Sequence, residues 1–326
     1  MPTRSKTTLK IFITAGLLAF VLYQMDLRKF VQVLSSANLG LMLLAVLVQL
    51  LEYFLATGRW RVILRNFNIH INFAPLAKIT FIGSFFNLFL PSAIGGDVVR
   101  GYYLSKKKNR GMSTTLTTTL LERSGGLCAL LVIGTFFATL RRIEVQGVSL
   151  LYVFLLLDLG YVTANVVLFH PWMHDQLTHF LKKRHFENVE AKLELVYEGL
   201  TTLRKNWTAI FYTLVISLII QFFAVVIVWI SARAIDITAP FYIFLIFIPL
   251  INLTIMVPLT INGIGLRESV YYLLFSQIGL AVETSVTLSL LNFVVLLVSA
   301  LPGALIYSLY KKEEPFDQVL AKAEMQ

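Results

Sequence analysis

Nine ionisable side chains stand inside stretches that are otherwise apolar: Glu52, Lys78, Asp97, Arg100, Glu122, Arg123, Asp158, Arg267 and Glu268. A charge at the centre of a membrane helix costs roughly 2.5–3.5 kcal/mol on insertion scales. Five acids and four bases at that depth must therefore pair with one another or line a polar cavity. For Asp97, Glu122, Arg123, Arg267 and Glu268 the expectation favours a cavity over purely structural ion pairs. Arg100, close to Lys106-Lys107-Lys108, is expected to reach toward the membrane surface, and Lys78 and Glu52 are open to the same reading. Glu122 and Arg123 are neighbours in sequence, so on a helix their side chains diverge by about 100° and each needs a different partner.

Most of these charges fall in or beside two matching interruptions. The first, FFNLFLPSAIGGDVVRGYYL (Phe85–Leu104), runs apolar to Pro91, breaks over Gly95-Gly96 and restarts with Asp97 and Arg100. The second, IMVPLTINGIGLRESVYYLLF (Ile255–Phe275), breaks after Pro258 over Asn262-Gly263 and Gly265, then restarts with Arg267 and Glu268. Both continue into Tyr-Tyr-Leu, about 170 residues apart and roughly half the chain. Paired broken hydrophobic segments point to a transporter's binding site. The prolines end one half-helix, and the glycines permit unusual backbone angles and close approach. The restarting half-helices would aim amide groups and a positive dipole end inward, a setting suited to an anion such as phosphate. The candidate substrate-binding set is Asn87, Pro91, Gly95, Gly96, Asp97, Arg100, Glu122, Arg123, Asn262, Gly263, Gly265, Arg267 and Glu268.

These residues need a membrane around them. Of 326 residues 57% are hydrophobic and 14% charged, and the mean hydropathy is +0.76. The class is all-α and polytopic, one membrane-embedded domain over 1–326 with no separate soluble catalytic domain expected. The net charge of +10 resides in short basic runs between apolar segments, which argues for cytoplasmic loops and anionic lipid heads and against nucleic acid. The single cysteine, Cys128, rules out an internal disulfide or a cysteine metal cluster.

Spans are expected at about 9–25, 39–57, 113–140, 148–169, 207–230 and 284–310, with broken hairpins at about 73–104 and 241–280. That gives six full crossings and two hairpins, with full-length hairpin arms as the alternative. Basic residues such as Arg59, Arg61 and Arg65 place both termini in the cytoplasm. One hairpin then enters from each face, making repeats of about 1–140 and 148–310 inverted. The polar stretch 171–206 reads as a cytoplasmic amphipathic segment. His170 just before it and His174, His179 and His185 within it suit a solvated surface with Trp172 as interfacial anchor better than a metal site. The Ser113–Thr119 run suits threonines bonding back to their own helix more than a wet path.

Three segments, FLPSAIGGDVVRGYYL, LLERSGGL (Leu120–Leu127) and NGIGLRESVYYLL (Asn262–Leu274), resemble in order the signature segments of the lysylphosphatidylglycerol synthase transmembrane-region, or flippase-like, family. The resemblance implies an all-helical membrane domain linked to moving lipids between leaflets, whether phospholipid or polyprenyl-linked. The soluble aminoacylating domain of bifunctional members is not expected, nor is its activity. No G-x-x-x-x-G-K-[ST] motif is present, so an ATP-driven pump is not expected. The expected function is a lipid translocase that uses no cofactor, metal or catalytic residue and lies in the cytoplasmic membrane. Its partners would be lipids with anionic or zwitterionic heads, with a homo-oligomer or a partner synthase or glycosyltransferase left open. The alternatives are a membrane enzyme acting on glycolipid or polyprenyl phosphate, and a non-catalytic partner of a separate lipid synthase.

Overall fold

The structure, a computed structural model, describes residues 27–89, 95–108, 111–170, 206–257 and 263–310, together with Thr260 and isolated positions between 172 and 204. The expected first span at 9–25, most of the polar stretch 171–206 with His174 and His185, and residues Pro91, Pro258 and Asn262 lie outside that set.

Ten helices are described in chain order: α1 (Leu27–Ser35), α2 (Leu39–Asn66), α3 (Phe73–Phe89), α4 (Gly95–Lys108), α5 (Met112–Leu140), α6 (Leu150–Phe169), α7 (Trp207–Arg233), α8 (Phe241–Met256), α9 (Leu266–Phe275) and α10 (Val282–Tyr310). A two-stranded hairpin, Glu144–Val145 with Val148–Ser149, links α5 to α6. Both of its turn residues, Gln146 and Gly147, have positive φ, as a tight two-residue hairpin demands.

Within α2, α5, α6, α7 and α10 lie stretches long and apolar enough to cross a membrane. These match five of the six expected crossings, and the chain is an all-α polytopic membrane protein. Lipid-facing stripes follow the helical repeat: Leu39, Leu43, Leu47 and Leu51 on α2, and Val294, Val298, Leu301 and Leu305 on α10, are all exposed. One boundary moves. α2 does not stop near Thr57 but continues to Asn66, so Arg59, Arg61 and Arg65 ride on a rigid helix instead of a loop.

The two broken segments form helical hairpins. α3 and α4 have 17 and 14 described residues, and α8 and α9 have 16 and 10. At 1.5 Å per residue α8 and α9 run about 24 and 15 Å, against a hydrocarbon core of about 30 Å. Arms this short leave backbone ends at depth, which is tolerated only inside protein. α8 meets that condition: Ile243 through Pro249 are buried in succession, packed between α5, α7 and α9.

The packing partners recur between the halves. α2 and α7, which precede the two hairpins, pack most extensively on each other and run antiparallel. Asn66 Oδ1 accepts from Asn206 Nδ2 at one end (2.9 Å), and Ala234 O accepts from Asn38 N at the other (2.8 Å). α3 rests on α10 and α8 rests on α5, while α4 packs on α5 and α9 on α10. Each hairpin is thus clamped between the long helices that follow the two hairpins, α5 and α10.

Close approach on the first hairpin depends on glycine. A Cβ on Gly303 of α10 would strike the Phe81 carbonyl, and one on Gly96 would strike the Gly83 carbonyl and the Asn87 side chain. By contrast, a methyl group added at Gly58 on α2 would meet nothing within 4 Å. Gly303→Val should therefore lower the thermal midpoint in detergent, since forced overpacking costs about 1–3 kcal/mol. Gly58→Ala should hold or raise it, because alanine is the better helix former by about 1 kcal/mol. A melt of the two variants and the wild type checks the contrast.

Candidate functional site

The first hairpin carries Asp97 in the opening turn of α4 and Arg100 three residues on, one helical turn away. The neighbouring α5 brings Glu122 and Arg123 to the same level, and α2 brings Arg59. These five side chains form one chain of ion pairs. Arg59 Nε lies 3.4 Å from Glu122 Oε1, and Arg100 Nη2 lies 2.6 Å from Glu122 Oε2. Arg100 Nη1 then reaches Asp97 Oδ1 at 3.4 Å, and Arg123 Nε closes on Asp97 Oδ2. The divergence expected of Glu122 and Arg123 is what allows this: one points to Arg59 and Arg100, the other to Asp97.

Burial makes the network stiff. The Asp97 and Glu122 side chains are 7% and 3% exposed, whereas Arg123, at 30%, is the most exposed of the five. Arg100 lies over Trp60, its guanidinium carbon 4.1 Å from the ring centroid, and Trp60 Nε1 donates to Thr118 Oγ1 at 3.0 Å. Arg59 Nη1 donates to Ser217 Oγ on α7 at 3.0 Å. Three guanidinium groups face two carboxylates here. Arg59 also lies in the field of Glu52, two turns earlier on α2. Arg100 Nε finds no hydrogen-bond partner.

This corrects the expectation for Arg100. It does not reach for the surface but sits at the centre of the network, because Asp97 and Glu122 both lie within its span. Lys78, by contrast, is exposed and Glu52 half-buried. The threonines of α5 behave as expected: Thr115, Thr118 and Thr119 each donate to a carbonyl of their own helix.

The second hairpin builds a separate, smaller pair. Gly263 and Gly265 take positive φ of 75° and 81°, a left-handed turn that lets α9 start abruptly. Glu268, in the first turn of α9, reaches back so that Oε2 accepts the Gly265 N–H at 2.7 Å. Its Oε1 receives Arg267 Nη2 at 2.6 Å and Ser289 Oγ at 3.1 Å, and Arg267 stacks 4.9 Å from the centroid of Phe293. Among the described residues no ion pair joins this group to Asp97 or Glu122. Among the described residues the charges of the two hairpins thus form two groups, each with its own partners.

The glycine pairs also differ in role. Gly95 and Gly96 lie in the first turn of α4 without positive φ, and Gly96 is needed for contact with Gly83. The amides expected to face an anion are engaged internally: Asn87 Oδ1 accepts Gly96 N–H at 2.9 Å, as Glu268 accepts that of Gly265. Arg59 and Trp60 are the site residues that sequence reasoning missed. Their signal is an arginine only two residues beyond Thr57 on an unbroken helix, with a tryptophan beside it. Among the described residues no group of three metal-ligating side chains occurs.

Residues 7–303 match the family model described as the lysylphosphatidylglycerol synthase TM region. The chain is 27% identical over 169 residues to a UPF0104 membrane protein of Methanocaldococcus jannaschii, covering 49% of this chain and 50% of that one. It is 26% identical over 117 residues to a UPF0104 membrane protein of Pyrococcus horikoshii, covering 36% and 35% respectively. The chain thus spans half or less of the length of the curated relatives it matches. No solved structure matches it. The three motif segments, Phe89–Leu104, Leu120–Leu127 and Asn262–Leu274, all fall inside the matched region, and the chain belongs to the lysylphosphatidylglycerol synthase transmembrane-region family.

Proposed function

We propose that this domain carries a lipid head group between the leaflets of the cytoplasmic membrane, with the Arg59–Glu122–Arg100–Asp97–Arg123 chain as the binding site. The observation that carries the reading is an alternating row of charges, buried along most of its length and most exposed at Arg123. A lipid phosphate crossing the hydrocarbon core loses its hydration. A row of guanidinium groups already desolvated and held by carboxylates substitutes fixed charge for that lost water. The phosphate would enter at Arg123 and displace Asp97, then share Arg100 as that arginine leans on Glu122. The substrate class is a phospholipid or a polyprenyl-linked lipid.

Each carboxylate is engaged by two arginines, which supports a binding row: Asp97 faces Arg100 and Arg123, and Glu122 faces Arg59 and Arg100. The antiparallel α2–α7 pair and the crossed packing of the hairpins support inverted repeats. The basic ends of α2 and α4 support cytoplasmic termini. Arg267 and Glu268, closed on each other, hold the start of α9 in place.

In vesicles carrying a fluorescent phospholipid, Asp97→Asn and Arg100→Gln should each slow leaflet exchange at least tenfold while helix content and elution volume stay those of the wild type. Wild-type exchange in both variants would end the assignment. The second pair should read out in stability instead. Arg267→Met leaves a buried carboxylate without its counter-ion and should cost about 3–5 kcal/mol. Arg267→Met combined with Glu268→Gln keeps an acceptor for the Gly265 amide and should recover most of that loss. Melting of the single and double variants separates this from a binding role, in which stability would return but exchange would not.

A further inference from the structure

One residue separates the arginine network from a feature that the proposed function does not use. Gly126 of α5 faces the Arg59 guanidinium, while Gly125 lines a cavity of about 430 Å³ between α5, α6 and α7. Its wall is mostly apolar, through Leu121, Ile210 and Leu214, with Asn165 at the end of α6 and exposed Arg204 just ahead of α7. A second cavity of about 420 Å³ shares Cys128 and Tyr161 with the first and continues along α5 and α6 past Thr135 and Asp158. Each falls in the size range of ligand pockets, and the lining, apolar with a few polar groups, is of the same kind.

A hydroxyl in the first cavity points to what it holds. Thr57, Thr80 and Thr287 satisfy their hydroxyls on the carbonyl one turn back in their own helices. Thr213 lines the cavity at 4% exposure, and its Oγ1 has no hydrogen-bond partner. A buried donor that is unmatched among the described residues and lines a cavity is able to meet an acceptor on a bound molecule. The charge lining the first cavity is a cation, Arg204, while Asp158 in the second accepts from Thr135 Oγ1, and the paired cavities follow α5 and α6. An acceptor-rich anion with a hydrocarbon tail satisfies all three features.

We propose that the α5–α6–α7 trough is a holding site for an anionic phospholipid. Its phosphodiester is held by Arg204, an ester oxygen accepts the Thr213 hydroxyl, and an acyl chain lies along Leu121 and Leu214 toward Cys128. Thr213 stands one turn before Ser217, the residue that receives Arg59, so the held lipid borders the arginine network without being part of it. The trough would hold lipid even in a chain that moved none.

The sole cysteine of the chain, Cys128, lines both cavities and serves as the reporter. The full chain is placed in nanodiscs of phosphatidylcholine, with or without phosphatidylglycerol, and Cys128 is reacted with a membrane-soluble maleimide. Rates are scaled to a lipid-soluble thiol in the same discs. Phosphatidylglycerol should slow the reaction at least threefold. Arg204→Gln should abolish that slowing, and Thr213→Val should weaken it. Equal rates in both lipids, or slowing that survives Arg204→Gln unchanged, overturns the proposal. Neither variant touches the ion-pair row, so protection with failed exchange would count against the translocator reading alone, and exchange without protection against the trough alone.

Discussion

A guanidinium group moved from water into the interior of a membrane protein must find its counter-charge there, and this requirement organises the first half of the molecule. Arg100 is engaged at once by Asp97, Glu122 and the face of Trp60, contributed by three different helices. Removing any one partner leaves charge stranded in low dielectric, so α2, α4 and α5 are bound to a common geometry. Packing follows from the same demand. Arg100 presses on the α3 backbone at a point where only Gly83 leaves space, and Gly96 must stay bare for the hairpin arms to close.

The second hairpin solves the same problem locally. Its acid and base are sequence neighbours, yet they pair, because Glu268 bends back to cap α9 and Arg267 follows it with Ser289 as a third partner. The result is compact and balanced in charge. The first network is drawn from distant elements and is most exposed at Arg123. A pair closed on itself suits anchoring, and a row that is exposed at Arg123 suits receiving an anion. That asymmetry is why the binding role is assigned to one hairpin although the sequence presents the two as equivalent.

The sequence exposes the spans, the two interruptions and the split of Glu122 from Arg123, because hydropathy and helical geometry are local. It hides whatever depends on a partner far along the chain. Arg59 meets Glu122 across 63 positions, and nothing near Arg59 distinguishes it from Arg61, which adjoins the same tryptophan. Arg100 misleads for a related reason: its lysine-rich neighbourhood suggests the surface, while the carboxylates that hold it belong to another turn and another helix. The two glycine motifs look alike in sequence but differ in backbone, since Gly263 and Gly265 need positive φ whereas Gly96 needs only the absence of a side chain. Asn87 as the acceptor for the α4 amide is likewise a matter of the hairpin's register.

Whether the buried row binds a head group or only holds helices together is decided by neutralising an interacting pair. Asp97→Asn together with Arg123→Gln removes one negative and one positive charge and leaves groups that still hydrogen-bond. Melting temperature and leaflet exchange of a fluorescent phospholipid are then measured on the same reconstituted double variant. The account predicts a melting temperature close to that of the wild type with exchange still lost. Recovery of exchange along with stability would contradict it.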